Sequence, residues 1–546
     1  MPRGRAVGRL RMGPIVGHTD DTSTRIWIQA IGDPADCVLR VQGAGVYPFF
    51  RTEAGPLEFR TGIAVATGLR PDWLYRYSVL RNGRIVPGAS GSVRTMPSAG
   101  SMAPIQFAAI SCSSAERDGS WEAFAKYVDD ALPAFVLMMG DQVYLDEDEP
   151  DVVKDHFEST PARRRQAMAD KIRLNWSREP VRRVLANVPT YMVWDDHDIR
   201  DGWGSSAADS PTLVARHPRG ARILQRSVAY FEDARDVYWH FQRCRDPLPG
   251  EVTDPSLPNY VGGPPPRGLR RAMPFAFRCG RLAVLVLDSR GERDVFREQL
   301  PILGAEQWQF IDHVFANLSP EVEALAVVTP TPIASLDPDG QVMKLVGNRT
   351  DDIEAFKDGD EQELYHAHST EDVSDLGLAA VGSHLTRILG RPVNLGAFKV
   401  SNIDEARDQW SHRYSRPEQA RLLRGAGRAR LSNRPSGSPR SLVFVSGDIH
   451  MGCLFDISVS DPDYRATSLT SSGVSNIQNP KIDVGAIVDE DFDVADGIHS
   501  TLRDVIPEFN FGVIDVLPTG HGATLHGALA HAGNAFAVGL DIADLL

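Results

Sequence analysis

Side chains that can bind metal ions or transfer protons follow five apolar runs of the sequence. The residues directly after these runs are Ser111-Cys112, Asp141 with Tyr144, Asp195 to Asp198, Asp288 to Arg290, and Asp448 with His450. In α/β sheets, ligands bind where the carboxyl ends of the strands meet. Carboxylates crowded at such an edge repel one another unless a cation lies among them. The pattern therefore predicts a metal site, with more than one ion.

Each of these groups also has an ordinary structural explanation. A lone aspartate at a strand end often caps the next helix, a lone cysteine is commonly a small buried hydrophobe, and a lone tyrosine is usually a half-buried aromatic. The run Asp195-Asp196-His197-Asp198 exceeds what one helix cap requires, which favours the metal site. Arg290 stays open, because its planar guanidinium suits a phosphate oxygen as well as an ion pair with Asp288 or another neighbour.

The elements that must position these side chains are visible in the hydrophobic pattern. Apolar, β-branched runs occur at 105–110, 134–139, 190–194, 282–287, 324–328 and 441–445. Such runs are typical of strands buried on both faces. Two segments between them have apolar residues at steps of three and four, which predicts helices: Trp121, Phe124, Val128 and Leu132, and Trp308, Ile311, Phe315 and Leu318. Strands that alternate with helices predict a layered α/β domain.

The N-terminal part has a different pattern. Residues 13–96 contain short β-rich runs at 24–30, 37–43 and 75–86, and the last run includes the hairpin signal Asn82-Gly83. A stretch rich in small residues and proline follows at 97–104 and marks a boundary. We therefore expect an N-terminal β-sandwich domain at 1–98 and a catalytic domain at 104–546. The segments 201–275 and 335–400 do not fit the strand–helix alternation and are interpreted as insertions or lids.

Composition excludes several classes of protein. Lys and Arg number 58 against 72 Asp and Glu, a formal net charge of −14, so the chain lacks the basic field that attracts nucleic acid. No stretch approaches the ~18–20 continuous apolar residues of a membrane span. The five cysteines are far apart and form no CxxC pair, which argues against a disulfide framework or a structural zinc site. The basic N-terminus is followed by no apolar signal stretch, so the expected location is the cytoplasm.

Four motifs in a fixed order resemble a known family. They are Gly-Asp-Gln-Val-Tyr at 140–144, Trp-Asp-Asp-His-Asp at 194–198, Leu-Asp-Ser-Arg at 287–290 and Ser-Gly-Asp-Ile-His at 446–450. With them the sequence resembles the PhoD-like phosphatases (alkaline phosphatase D), which belong to the calcineurin-like metallophosphoesterases and are similar to purple acid phosphatases. The resemblance implies an α/β fold in which a four-layered αββα hydrolase domain follows a fibronectin-III-like β-sandwich.

The same resemblance implies individual roles. Gly-Asp-x-x-Tyr looks like the element in which the aspartate bridges two metals and the tyrosine binds ferric iron, which makes Asp141 the bridge and Tyr144 an iron ligand. Cys112 would complete the iron site as a thiolate. Asp196 stands where the wider superfamily has a metal-binding asparagine, and His197 matches the histidine that contacts substrate.

The resemblance also assigns further ligand positions. Asp448 and His450 occupy the two ligand positions of the superfamily's Gly-His-x-His motif, and Asp195 is a further candidate ligand. Family members use Fe³⁺ together with Ca²⁺, and Zn²⁺ or Mn²⁺ is the alternative. Ligand chemistry agrees, because Tyr and Cys anions suit a transition metal and Asp-rich positions suit calcium. The superfamily's histidine after a fourth strand is missing from residues 327–336, which favours a carboxylate-rich second site.

These inferences predict a metal-dependent phosphoester hydrolase that acts as a phosphomonoesterase, a phosphodiesterase or both. A metal-activated hydroxide would attack phosphorus, and His197 and Arg290 are the expected catalytic residues. The expected partner is a small phosphoester, with no nucleic acid and no membrane. The alternatives are a hydrolase of another ester, such as a phosphotriester, and a binding protein whose active site has decayed.

Two further groups have ligand-like spacing. The pair His366 and His368 lies in the polar insertion and is interpreted as part of a solvated loop. The segment Asp408-Gln409-Trp410, followed by His412, resembles a tryptophan-containing segment of the family. It either lines the pocket or packs against the core, and packing is slightly favoured.

Overall fold

The computed structural model describes residues 9–147, 149–205, 209–214, 220–252, 254–340, 408–435, 437–477, 488–531 and 534–541. Across these ranges no helix has the length and apolar character needed to cross a membrane. The strands are β1 (Met12–Thr19), β2 (Ser23–Gln29), β3 (Cys37–Val41), β4 (Gly45–Pro48), β5 (Phe50–Arg51), β6 (Thr61–Thr67), β7 (Leu74–Arg81), β8 (Arg84–Arg94), β9 (Ile105–Ile110), β10 (Phe135–Met139), β11 (Thr190–Val193), β12 (Phe275–Cys279), β13 (Leu282–Val286), β14 (Ala324–Thr329), β15 (Ser441–Ser446), β16 (Gly452–Ser460), β17 (Asp463–Ser471), β18 (Asp491–Ala495), β19 (Ile498–Ile506), β20 (Asn510–Pro518), β21 (Ala523–His531) and β22 (Asn534–Asp541). The helices are α1 (Trp121–Ala131), α2 (Val152–His156), α3 (Pro161–Trp176), α4 (Glu179–Leu185), α5 (Pro211–Val214), α6 (Gly220–Phe241), α7 (Gly304–Asn317) and α8 (Arg416–Ala429).

The first eight strands form two antiparallel four-stranded sheets, ordered β1-β2-β6-β5 and β4-β3-β7-β8. Inward-facing residues of both sheets share one apolar cluster, which includes Val16, Ile26, Leu39, Val79 and Val93. The turn between β7 and β8 is Asn82-Gly83, with φ values of 52° and 72°. Tight hairpin turns of this kind require positive φ at both positions, so the predicted hairpin is confirmed. The likeness of these sheets to a fibronectin-III domain stays a prediction.

Two larger sheets carry the predicted strand ends. One has six strands in the order β11-β10-β9-β20-β21-β22, and the other has eight in the order β12-β13-β14-β15-β17-β16-β19-β18. The strands β9, β10 and β11 run parallel in the first sheet, and β13, β14, β15 and β17 run parallel in the second. All six predicted strands form, with bounds that differ from the apolar runs by no more than one residue.

Aromatic side chains join the two large sheets. The ring of Tyr191 in β11 stacks on the ring of Phe277 in β12, with centroids 3.8 Å apart. The ring of Phe135 in β10 contacts the Phe277 ring edge-on, with centroids 5.1 Å apart. They belong to an apolar cluster that also takes in α1, α3, α4 and α6. A second cluster lies under α7 and α8, against other residues of the eight-stranded sheet. The predicted mixed α/β fold is confirmed.

The first predicted helix ends one residue earlier than its apolar pattern. Trp121, Phe124 and Val128 are buried in α1, but Leu132 is 43% exposed. Leu132 has a φ of 52° and its backbone N–H donates to Val128 O, so it forms a left-handed helix cap in place of a fourth buried position. The exposed leucine is the consequence of ending the helix there.

The described part of the 201–275 segment packs against the strand ends. Within it, Trp203 stacks on Phe231 of α6 at 4.6 Å, and Tyr238 of α6 stacks on Trp194 at 4.4 Å. These residues are buried, so this region is part of the core and not a loose lid. Residues 341–407, including His366 and His368, lie outside the described residues, and the interpretation of 335–400 stays a prediction.

The N-terminal sheets contact the rest of the chain directly. Trp27 Nε1 donates to His240 O at 2.9 Å, and Tyr77 Oη donates to Ala186 O at 2.7 Å. The connecting residues 97–104 contain no helix or strand. The division into domains at 1–98 and 104–546 stays a prediction.

Candidate metal centre

The predicted ligands lie in loops that follow four strands. The strands β9, β10 and β11 are parallel and end at one edge of the six-stranded sheet, and the loop after β15 of the other sheet meets them there. The residues these loops present are Cys112, Asp141, Asp195, Asp196, Asp448 and His450. Their ligand atoms form overlapping groups within which all atoms lie within 4.8 Å of one another. The tertiary structure thus brings every predicted ligand to one place.

One group contains Cys112, Asp141 and His450. Cys112 Sγ lies 3.5 Å from Asp141 Oδ2, and Tyr144 Oη lies 2.9 Å from His450 Nε2 and 3.5 Å from Asp141 Oδ2. Thiol, phenol, imidazole and carboxyl groups therefore converge. This mixture of ligands suits a transition metal.

A second group contains Asp195, Asp196 and Asp448, which offers only carboxylate oxygens. Oxygen-only sites suit hard cations such as Ca²⁺. Asp141 belongs to the first group and is also grouped with Asp196 and His197. Asp141 therefore belongs to the first group and is close to Asp196 of the second, and its role as a bridging carboxylate stays a prediction.

The carboxylates of this centre fit bound cations. Asp141 Oδ1, Asp195 Oδ2 and Asp196 Oδ1 are buried and accept no hydrogen bond from the part of the chain that the structure describes, although buried acceptors are normally satisfied. Burial raises the pKa of Asp141 well above its usual value, and neighbouring Cys112 raises it further. Burial likewise raises the pKa of Asp448, with Asp195 adding to the effect. A cation would remove both the desolvation cost and the mutual repulsion.

The backbone of these loops is strained where the ligands are attached. Cys112, Asp141, Asp448 and His450 have φ values of 59°, 51°, 74° and 58°. Positive φ is uncommon for residues other than glycine, and such residues cluster at functional sites. The preceding Gly140 has a φ of 102°, and a Cβ there would overlap the Cβ of Asp195.

His197 is held by a carboxylate that sequence reasoning missed. Its Nδ1 lies 2.7 Å from Asp146 Oδ1, and both side chains are buried. Burial lowers the pKa of His197, but Asp146 and Asp196 more than offset this, so the pKa lies well above its usual value. The two carboxylates therefore favour the protonated imidazole.

Arg290 is fully buried and paired with carboxylates. Its guanidinium contacts Asp195, lies 3.3 Å from Asp196 Oδ1 and 2.6 Å from Asp408 Oδ2. The sequence left open whether Arg290 contacts a phosphate oxygen or forms an ion pair. The structure shows ion pairs, and their partners are carboxylates other than Asp288. A catalytic contact of Arg290 with substrate stays a prediction.

Comparison with known proteins agrees with this site. The model of the PhoD-like phosphatase family matches residues 107–487. The chain belongs to the PhoD-like phosphatase family. The matched range includes every predicted metal ligand and both predicted catalytic residues of this PhoD-like phosphatase, from Cys112 to His450.

Two solved structures align with nearly the whole chain. A structure of PhoD aligns with a TM-score of 0.59 and 14% sequence identity, over 99% of this chain and 90% of that chain, which shows that the fold is shared. A purple acid phosphatase isolated from yellow lupin (Lupinus luteus) seeds aligns with a TM-score of 0.47 and 10% identity, over 97% of this chain and 75% of that chain. The search of curated proteins found no match.

In this PhoD-like phosphatase, two strand-end aspartates serve the backbone and not the centre. Asp288 accepts hydrogen bonds from the backbone of Met273, Arg290 and Gly291 and from Trp194 Nε1. Asp198 Oδ2 likewise accepts from the backbone N–H groups of two neighbouring loops. Sequence could not separate these aspartates from the ligands, because all of them follow apolar strands.

Asp146 is a functional candidate that motif reasoning did not single out, and Asp408 was named only as part of the segment that resembles a family element. Asp408 lies in the segment for which packing was slightly favoured, and Trp410 is indeed buried, but Asp408 also pairs with Arg290 beside the centre. Asp146 lies five residues beyond Asp141 in the same loop. The only sequence signal for Asp146 was its position in an acidic stretch, and that signal did not indicate its contact with His197.

Proposed function

We propose that the protein is a metal-dependent phosphoester hydrolase, acting as a phosphomonoesterase, a phosphodiesterase or both. The observation that carries the proposal is the convergence of two ligand groups, Cys112 with Asp141 and His450, and Asp195 with Asp196 and Asp448, which a third group of Asp141, Asp196 and His197 links. Membership of the PhoD-like phosphatase family supports the reaction class. A decayed binding protein would not be expected to keep three such groups, each with its ligand atoms within 4.8 Å of one another.

The donor sets suggest which ion each position takes. Cys112, Tyr144 and His450 with Asp141 would hold Fe³⁺, because anionic sulfur and phenolate donors suit a strongly Lewis-acidic transition metal. Asp195, Asp196 and Asp448 would hold Ca²⁺. Zn²⁺ or Mn²⁺ is the alternative for both positions.

The bound cations would supply charge stabilisation for the phosphoryl oxygens and a nucleophile at neutral pH. The chain's own contribution is a fixed proton on His197. Because Nδ1 is hydrogen-bonded to Asp146, Nε2 is the ring nitrogen left to face a phosphoryl or leaving oxygen. A donor held this way stabilises charge that develops only in the transition state.

The same proposal includes the finer assignments of fold, partner and location. The fold would be a four-layered αββα hydrolase domain at 104–546 that follows a fibronectin-III-like sandwich at 1–98 in the chain. The partner would be a small phosphoester, with no nucleic acid and no membrane, and the location would be the cytoplasm.

Element analysis combined with two substrates tests the proposal. We expect purified protein to contain iron and calcium and to hydrolyse 4-nitrophenyl phosphate, its bis-ester or both. Asp141→Ala should lose metal and activity together, whereas Asp312→Ala, at an exposed ion pair with Arg421, should keep both. A calcium-selective chelator should remove activity that added Ca²⁺ restores.

Three outcomes would contradict parts of the proposal. Full recovery of metal-free protein with Zn²⁺ alone would exclude the calcium assignment. Hydrolysis of a phosphotriester with no action on either ester would favour the alternative substrate class. Folded protein without metal and without hydrolysis would favour the decayed binding protein.

A further inference from the structure

The sulfur of Cys112 lies between two serine hydroxyls. Cys112 Sγ is 3.0 Å from Ser472 Oγ and 3.2 Å from Ser111 Oγ, and all three residues are buried. Neither serine is a predicted ligand; Ser111 entered the sequence analysis only as the neighbour of Cys112, and Ser472 belongs to none of the motifs. Hydrogen bonds to a ligand sulfur are a known means by which proteins tune a metal.

Ser472 is anchored so that its hydroxyl hydrogen is free to reach the sulfur. Its Oγ accepts the backbone N–H of His450 at 2.8 Å, and its backbone oxygen accepts from Asn510 Nδ2 at 2.6 Å. A thiolate cannot donate a hydrogen bond, so when Cys112 is a metal ligand the serine must be the donor. Ser472 therefore contacts two predicted ligands that come from different sheets.

Ser111 is a weaker candidate for the same role. Its Oγ lies 3.3 Å from Ser471 O, which is a competing acceptor for its only hydrogen. Ser472 Oγ has no competing acceptor within hydrogen-bond distance among the contacts of the described residues. Ser111 and Ser472 can therefore be compared directly. Both hydroxyls contact the Cys112 sulfur, but the Ser111 hydroxyl also has a competing acceptor.

We propose that Ser472 is a positioning residue that donates its hydroxyl hydrogen to the Cys112 thiolate and sets the strength of the metal–sulfur bond. This inference rests on the proposed function, because it takes Cys112 as a metal ligand. Removing the donor leaves the sulfur richer in electrons and less stabilised as an anion. The metal should then bind more weakly, and sulfur-to-metal charge transfer should need less energy.

Replacement of the bound metal by Co²⁺ tests the inference, since a thiolate bound to Co²⁺ gives a charge-transfer band in the near ultraviolet. Ser472→Ala should shift this band to longer wavelength and weaken Co²⁺ binding about 10–100-fold. The matched control Ser111→Ala should change both quantities less. Cys112→Ala should abolish the band and thereby assign it, and thermal unfolding checks that each variant is folded.

The outcomes separate the inference from the function on which it rests. No charge-transfer band in the unsubstituted protein would remove Cys112 as a ligand, and with it the proposed iron site. A band that Cys112→Ala abolishes but Ser472→Ala leaves unchanged would overturn the inference alone. An equal or larger shift in Ser111→Ala would assign the donor to Ser111 and also overturn it.

A measurement on protein that keeps Ser472 covers the case in which Ser472→Ala does not fold. Resonance Raman spectra of Co²⁺-loaded Ser111→Ala should show a metal–sulfur stretch that shifts between H₂O and D₂O, because the donated hydroxyl hydrogen exchanges. A stretch that is the same in both solvents would overturn the inference.

Discussion

Asp195 and Asp196 are neighbours in the chain, but their carboxyl groups differ in proton affinity. Burial raises the pKa of Asp195 to about 7, although Arg290 acts against it. Burial also acts on Asp196, but Arg290 and His197 more than offset it and lower the pKa to about 2. The two neighbouring carboxyl groups therefore differ in pKa, because Asp196 faces His197 as well as Arg290.

Tyr144 should determine the colour of the iron-loaded protein. Burial raises the pKa of its phenol well above the usual value, and Cys112 and Asp141 raise it further, so only a bound cation makes the phenolate stable. We expect a purple to brown absorption band that Tyr144→Phe removes. Absorption spectra and iron content measure this.

The matched control is Tyr464→Phe, which removes a buried phenol that donates to Leu423 O far from the centre. This variant should keep the colour. Colourless wild-type protein with stoichiometric iron would contradict the assignment of Tyr144 as a ligand.

His197→Ala should lower kcat by about 10²–10⁴ for esters with poor leaving groups, because a positioned acid or charge stabiliser is worth that much. An activated aryl ester should lose less if His197 protonates the leaving oxygen. Asp146→Asn should act in the same direction, since Asp146 holds Nδ1 at 2.7 Å. Steady-state kinetics on both esters, with metal analysis, measure these effects.

Equal losses with both esters would assign His197 to charge stabilisation in place of acid catalysis. Metal lost together with activity would make His197 a ligand. Unchanged kcat would exclude a catalytic role.

At the scale of elements, the site depends on short loops that turn sharply at the ends of parallel strands. The loop after β10 brings Asp141 and Tyr144 to the edge, and Gly140 lets it pass close to Asp195. Farther along the same loop, Glu147 O and Pro150 O each accept a hydrogen bond from Lys171 Nζ of α3 at 3.0 Å. The helix therefore supports the loop that carries Asp141.

Gly140→Ala should disrupt the centre. The new Cβ would overlap the Cβ of Asp195 in a backbone conformation with φ at 102°, so the loops after β10 and β11 would have to separate. We expect loss of bound metal and of activity, measured by element analysis and kinetics. Gly250→Ala is the control, because Gly250 has a φ of 78° and no atom of the described residues lies within 4 Å of the added Cβ. It should cost only about 1–2 kcal/mol in backbone strain. If Gly140→Ala keeps its metal, the close packing of these loops is not required for the site.

At the scale of the whole molecule, two neutral histidines lie where the N-terminal sheets meet the rest of the chain. His18 Nδ1 in β1 is 3.1 Å from Tyr191 Oη in β11, and His240 Nδ1 in α6 is 3.0 Å from Thr52 Oγ1. Burial lowers the pKa of His18 to about 3, with help from Arg25 and Arg243. Burial also lowers the pKa of His240 to about 4. Protonation of His18 and His240 is therefore disfavoured in the folded protein.

The free energy of unfolding should fall as the pH drops below 6.5. The unfolded chain binds a proton at each histidine near pH 6.5, whereas the folded chain does so only near pH 3 to 4. The stability is therefore present above pH 6.5 and lost on acidification, by about 2 kcal/mol for each histidine at pH 5. Urea unfolding at pH 7 and pH 5 measures this.

The variants His18→Gln and His240→Gln should each remove their share of the pH dependence. His313→Gln, at an exposed position, is the control and should leave it unchanged. If the pH dependence between 7 and 5 is the same in the wild type and in both interface variants, these histidines do not control it.

Local sequence pattern accounts for much of this protein. The six buried strands, the Asn82-Gly83 hairpin and the ligand-bearing loops follow from short-range rules, because strand burial and turn geometry are decided within a few residues. The motifs placed Cys112, Asp141 and Asp196 at strand ends, and parallel strands bring such ends together. The strands β20 to β22 were not predicted, because β20 pairs with β9 across about 400 residues of chain.

Only the tertiary structure decided which of the similar side chains serve the site. Asp288 satisfies backbone N–H groups while Asp196 Oδ1 accepts no hydrogen bond from the described residues, although both follow apolar strands. One partner of Arg290, Asp408, lies 118 residues away, and Ser472 lies 360 residues from Cys112. Hydrogen bonds and ion pairs form between atoms that are close in space, and sequence spacing carries no information about that distance once the chain has crossed between sheets.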